Sequence, residues 1–162
     1  RREELHNIRL EHLMDRKPNN IVRKATQEDA EYIVEVLAKK MLEREYERPE
    51  LYNKEALLEI TTLSIKQGCT IVIERDRELV GVVGGIVHQH PFNPSITVLS
   101  EAMWYVEEEH RSTRSVIKML KTYIGLDVSD EKTFSLLPSS NISERNMNKL
   151  GFKKTEIGYL RR

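Results

Sequence analysis

The chain has 162 residues, 39% of them apolar and 32% charged, a size and balance that fit one globular domain with a substantial core. Lys plus Arg and Asp plus Glu both number 26, and that neutrality argues against a dedicated nucleic-acid binder, which carries a basic excess. The single Cys69 permits no intramolecular disulfide and points to a reducing, cytoplasmic setting, while no apolar run approaches the ~20 residues of a membrane span.

Residues 1–16 are charged, with Leu5, Ile8, Leu10, Leu13 and Met14 at loose helical spacing, and Lys17-Pro-Asn-Asn20 stops the pattern. This predicts a helical extension and linker over residues 1–20, ahead of a domain spanning 21–162. Its apolar stripe needs a surface to cover, so residues 1–17 are the candidate element for docking into an assembly. A short strand follows at 21–25. Thr26-Gln-Glu-Asp29 then has capping-box spacing and opens a helix with Ile33, Val36, Leu37 and Met41 on one face. Pro49 breaks that helix. A second is predicted over 54–67, with Gly68 as its C-cap.

Two β-rich segments, 69–75 and 78–87, flank Asp76-Arg77 and predict a hairpin. Gly81, Gly84 and Gly85 inside the second strand signal a bulge or a close backbone approach. Residues 88–95, with Pro91 and Pro94, are expected to form a surface loop. A strand over 96–106 then leads into a helix over 114–125, whose inner face carries Val116, Leu120 and Tyr123 with Ile117 and Ile124. A strand at 133–137, a short helix at 143–150 and a last strand at 155–160 complete the order. An antiparallel hairpin feeding strand–helix–strand units implies an α/β (α+β) fold, a mixed sheet with helices on both faces.

The most informative stretch is Glu101-Ala-Met-Trp-Tyr-Val106 with Glu107-Glu-Glu-His-Arg-Ser-Thr-Arg-Ser-Val116. A strand that stops where a helix begins leaves backbone N–H groups unpaired at the positive end of the helix dipole, which suits a pyrophosphate. Arg111 and Arg114 add cations, and Ser112, Thr113 and Ser115 add hydroxyl donors. Along the strand Trp104 alternates with Glu101 and Met103, so it is expected on the opposite face, in the core. Glu107–Glu109 reads as a solvated acidic turn. His88, Gln89 and His90 are either solvated or lining for a substrate. Cys69 reads as a buried, inert thiol. The two histidines have no third ligand at a suitable spacing, so no metal site is expected.

The order of elements, Val80-Gly-Val-Val-Gly84, Val106-Glu-Glu-Glu-His-Arg111 and Asn148-Lys-Leu-Gly-Phe152 resemble the GNAT superfamily of acetyl-CoA-dependent N-acetyltransferases. The resemblance covers about 21–159, and the stretch from Glu101 to Arg111 is similar to a branch common among phage-encoded and bacterial members. It implies a mostly antiparallel twisted sheet, acetyl-CoA as cosubstrate, and transfer of acetyl to a primary amine, on a small molecule or a protein, by direct attack. It also implies a cytoplasmic protein, or a virion-associated one if phage-encoded. In such a fold the strand at 96–106 splays from the one at 133–137. Main-chain groups near Met103, Tyr105 and Val106 then hold the pantothenate arm, and Arg111 to Val116 hold the pyrophosphate. Asn141 contacts the cofactor, unless it is simply a turn residue before Ser143. Arg114 and Val116 stand where the family's loop has small residues. Glu101 is the candidate general base, against the alternative of a solvated or salt-bridged strand-edge carboxylate. The place of the family's proton-donating tyrosine is taken by Met147, with Tyr159, Tyr105 and Ser140 as substitutes, Tyr159 first. The alternative implied function is a catalytically inactive GNAT-fold structural or binding protein, docked through its N-terminal helix.

Overall fold

The computed structural model describes residues 20–111, 114–138, 140 and 142–161. The predicted extension therefore lies almost wholly outside the described residues, as do Ser112, Thr113 and Asn141. Strand β1 (Asn20–Lys24) begins the described chain and leads into helix α1 (residues 27–45). The Thr26 N–H donates to Asp29 Oδ2 at 2.7 Å, the reciprocal half of the expected capping box.

After Ala30, buried positions in α1 fall in pairs, Ile33/Val34, Leu37/Ala38 and Met41/Leu42, at an interval of four. A regular helix would rotate such a stripe by about 40° per step. Wide π-type turns over Ile33–Ala38 and Met41–Glu45 absorb that rotation, so the stripe stays on the sheet. Glu47, at φ 51°, and a 3₁₀ turn at Pro49–Leu51 reverse the chain. Helix α2 (Lys54–Lys66) follows, capped by Asn53 at its start. It ends at Gly68, where the left-handed φ of 73° lets Cys69 N–H reach Ser64 O at 2.9 Å.

The sheet has the order β1-β2-β3-β4-β5, with β2 at Thr70–Arg75, β3 at Glu78–His90, β4 at Asn93–Val106 and β5 at Glu131–Thr133. Every pairing is antiparallel except β4 with β5. Asp76 and Arg77, both at positive φ, form the predicted hairpin turn. The loop expected at 88–95 is instead strand, since His90 pairs with Asn93 and leaves Pro91-Phe92 as the turn. Pro94 is tolerated because β5 pairs with β4 only from Val98 onward, so no neighbour on that side needs its missing N–H.

Helices α1 and α2 cover one face of the sheet, around Val72, Val82, Met103 and Tyr105. The other face carries Ile71, Ile73, Val83, Leu99 and Val106 under helix α3 (Arg114–Ile124), which buries Met119, Leu120 and Tyr123. Ile117 is not inward as expected but 57% exposed, because it lies one residue, about 100°, round the helix from Val116. Helix α4 (Glu144–Lys149) is capped by Ser143. No final strand forms at 155–160, and Tyr159 and Leu160 are exposed there. The strand expected at 133–137 stops at Thr133. Both shortfalls bear on the site.

Candidate active site

The centre of the site is a fork. β4 and β5 pair over three rungs only, Val98–Glu131, Leu99–Lys132 and Ser100–Thr133. Beyond Ser100, β4 runs six residues further to Val106 and, among the described residues, has a strand partner on its β3 side alone. A bulge sits at the point of parting. Gly84 pairs with Met103 and Gly85 with Glu101, so Ala102 is the extra residue. An inserted residue bends and twists its strand, which turns β4 away from β5 and leaves main-chain groups along 101–106, apart from the Val106 carbonyl that Arg111 holds, without a strand partner on that side among the described residues.

The bulge also resets the side-chain alternation. Leu99 belongs to the α3-side cluster while Met103, four residues but only three pairs further along, belongs to the α1-side cluster. Glu101 therefore does not share a face with Met103, as unbroken alternation required. It shares register with Gly85, whose missing Cβ would point at the Tyr123 hydroxyl 2.3 Å away and at Ser100 O 2.5 Å away. Only glycine admits that approach of α3 to the sheet. Trp104 packs on the α3 side, edge-on to Phe134 at 5.0 Å between centroids.

Glu101 lies at the vertex, partly buried, and accepts a hydrogen bond from Ser135 N–H at 3.4 Å. Burial pushes its carboxyl up to about 7, and the Ser135 N–H opposes this only weakly. Its charge is felt by Tyr46 at the end of α1 and by Tyr123 on α3, each held above the ordinary tyrosine range mainly by its own burial. Tyr123 Oη has no hydrogen-bond partner among the described residues.

At the open end of the fork, Met103, Tyr105 and Val106 all turn their side chains into the core. Their side chains are therefore not available to a ligand. The Arg111 side chain is already engaged: Nε donates to Val106 O at 2.9 Å, the guanidinium pairs with Glu45, and it lies 5.7 Å from the Tyr105 ring centroid. It ties the loop to α1 and β4. Arg114 is exposed at the start of α3, with Ser115 and Val116 partly buried behind it, Val116 against the core. Of the two arginines, Arg114 is thus the one whose side chain is not engaged by α1 and β4. Glu107 is not a solvated turn residue but buried, bonded by Lys40 and, at 3.3 Å, by the Tyr105 hydroxyl.

Met147 lines an apolar slot with Trp104, Leu120, Ile124, Phe134, Leu150 and Phe152. Tyr159 stands 94% exposed in a segment with no regular structure. Cys69 is fully buried, and burial pushes its thiol up, as expected of an inert cysteine. Among the described residues no three His, Cys, Asp or Glu side chains converge as metal ligands, and no helix is long and apolar enough to cross a membrane. Ser135, Tyr123, Ser100 and Thr133 were not legible as site residues. Gly85 was the one local signal for the Tyr123 approach, and the others depend on cross-strand register.

No protein-family model matches the sequence, and no curated protein does. Solved structures do match. A predicted acetyltransferase from Clostridium acetobutylicum, solved with acetyl-CoA, superposes with a TM-score of 0.70 at 15% identity, over 89% of this chain and 96% of that one. AAC(6')-Iy, in complex with the bisubstrate analogue CoA-S-monomethyl-acetylneamine, gives 0.63 at 17% identity, over 89% and 97%. A transcriptional regulator from Bacillus halodurans gives 0.64 at 18% identity, over 89% and 99%. At these identities the likeness is one of architecture, and with the forked sheet it shows that this chain has a GNAT-like fold.

Proposed function

We propose that the chain is an N-acetyltransferase that moves acetyl from acetyl-CoA to a primary amine by direct attack. The observation that carries this reading is the fork: a β4 edge with no strand partner beyond Ser100 among the described residues, and at its vertex a carboxyl that burial pushes up to about 7. Acetyl-CoA supplies the activated acyl group as a thioester. The open main chain from Glu101 to Val106 holds its amide-bearing arm as a strand would be held, and Arg114 with the α3 N-terminus faces its phosphates.

An alkylamine is protonated at neutral pH, and freeing it costs on the order of 4–5 kcal/mol. Glu101 takes that proton. A carboxyl poised near 7 is ionised often enough to accept it and basic enough to hold it. A main-chain N–H at the bulge steadies the tetrahedral oxyanion, a contribution of about 3 kcal/mol for a donor of this kind. Met147 and exposed Tyr159 leave the thiolate of CoA to take its proton from solvent. The aminoglycoside-derived analogue bound to AAC(6')-Iy makes an amino sugar the first acceptor to try.

Thermal unfolding with and without acetyl-CoA tests this first. A ligand at 100 times its dissociation constant adds about 2.7 kcal/mol of stability, and no upward shift at millimolar acetyl-CoA would sink the reading. Thiol release with neamine, spermidine or a peptide with an N-terminal alanine then identifies the acceptor. The competing reading is a non-catalytic GNAT-fold protein docked through residues 1–17. It is favoured by the engagement of Arg111 with Glu45 and Val106, and it requires that removing residues 1–17 abolish assembly without unfolding the domain.

A further inference from the structure

Acetyl transfer as described leaves a buried polar group at the fork unused. Tyr123, on the inner face of α3, is 1% exposed, and its hydroxyl has no hydrogen-bond partner among the described residues. Leaving a buried donor unpaired is costly, so such a group calls for a partner that comes and goes. The hydroxyl is aimed at Gly85, where a Cβ would lie 2.3 Å from Oη. Gly85 is the register partner of Glu101. Residues opposite one another in an antiparallel pair project to the same face, with Cβ positions about 4.5–5.5 Å apart. Leu99, two residues before Glu101 and ahead of the bulge, lies on that α3 side too, 3.0 Å from the same Cβ position. The phenol oxygen and the Glu101 carboxyl thus belong to one rung and one face, and the field of the carboxyl reaches Tyr123.

Glu101 itself is loosely held. Its hydrogen bond from Ser135 N–H, at 3.4 Å, is near the limit for such a bond, and among the described residues no cation steadies it. The ionisable groups around the pair are Tyr46 at the end of α1 and Cys69 just ahead of β2. Burial holds both of these protonated and neutral.

We propose that Tyr123 is a positioning residue for Glu101: on ionising, the carboxylate turns to accept the Tyr123 O–H, which holds one oxygen and leaves the other for the acceptor amine. That the held carboxylate serves as a base rests on the acetyl-transfer reading, whereas the contact itself does not. A hydrogen bond from a neutral hydroxyl to a carboxylate is stronger than one to the uncharged acid, so the contact forms with the charge. The phenol keeps its own proton throughout, because burial and the neighbouring carboxylate hold it above the ordinary tyrosine range. No covalent bond is made or broken. Gly85 is what lets the phenol stand over the rung, since a side chain there would occupy the place of the hydroxyl.

Carbon-13 NMR of the Glu101 carboxyl, assigned by its absence from Glu101→Gln, reads the contact without any turnover. Tyr123→Phe keeps the ring and removes only the hydroxyl. Its Glu101 midpoint should lie about one pH unit above that of the wild type, because a donor to the charged form has been lost. In the wild-type protein the Tyr123 Cζ signal should shift with the Glu101 midpoint, and Glu101→Gln should abolish that shift. Thiol release from acetyl-CoA with neamine should fall about tenfold in kcat/KM at pH 6 in Tyr123→Phe and approach the wild type well above the midpoint. A merely structural phenol would leave every midpoint in place. A Glu101 midpoint unmoved or lowered in Tyr123→Phe, or a wild-type Cζ signal indifferent to the Glu101 titration, overturns the inference. A raised midpoint without turnover in the wild type would overturn acetyl transfer and leave the contact standing.

Discussion

Under the proposed reading Glu101 is the proton acceptor because two local facts meet on it: a position at the vertex of diverging strands and a side chain only partly reached by water. Burial pushes its folded pKa up to about 7, above the ordinary glutamate value of 4.5, so the folded state holds the proton more tightly than the unfolded chain does. The resulting stability is fully present below the unfolded value and is lost as pH rises through about 7. Glu101→Gln has no charge to bury. Its melting temperature should therefore gain on the wild type between pH 4.5 and 8, by the equivalent of about 2–3 kcal/mol. A gap that stays constant with pH would refute the raised pKa. In turnover, kcat/KM of the wild type should climb through pH 7 and that of the variant should lie low and flat. The two arginines divide differently from their symmetric appearance in the sequence. Arg111 is a brace between α1 and β4, and Arg114 is the one left facing solvent.

Among elements, the β3–β4 pair decides the site, because its bulge aims β4. Gly85 is the tight point: a methyl there would sit 2.3 Å from Tyr123 Oη and 2.5 Å from Ser100 O. Gly85→Ala should destabilise by about 1–3 kcal/mol, the usual range for overpacking, seen as a lower urea midpoint. Adding Tyr123→Phe removes one of the two obstacles and a buried hydroxyl without a partner among the described residues. The double variant should thus recover part of the loss, and additive effects would show that α3 does not press on the bulge. Opposite, α1 is pinned to the end of β4 by Lys40 with Glu107 and by Glu45 with Arg111. Its wide turns keep both acidic and basic partners in reach while the Ile33, Leu37 and Met41 stripe stays buried.

Taken whole, the molecule is a sheet closed on both faces and left open along one inner edge. Hydrogen exchange reads that directly. Amides of β4 between 101 and 106 that point towards the fork should exchange faster than their neighbours bonded to β3, and millimolar acetyl-CoA should slow them selectively. Uniform protection without ligand would mean the fork is closed.

Patterning in the chain determined the elements that depend on neighbours in sequence. These include the Thr26–Asp29 cap, the Gly68 helix stop, the Asp76-Arg77 turn, the α3 stripe through Leu120 and Tyr123, and the run from Glu101 to Arg111 that resembled an acetyl-CoA site. It mistook 88–95 for a loop because prolines are ambiguous at a strand edge. It also gave 155–160 a strand that no neighbour pairs. Tertiary structure alone decided what needs two strands to be seen together. The three-rung limit of the β4–β5 pairing, the phase change at Ala102, the burial of Glu101 and Glu107, and the approach of Tyr123 to the Glu101 rung all arise from register between distant segments. Register is a property of contacts, and no window of one strand contains it.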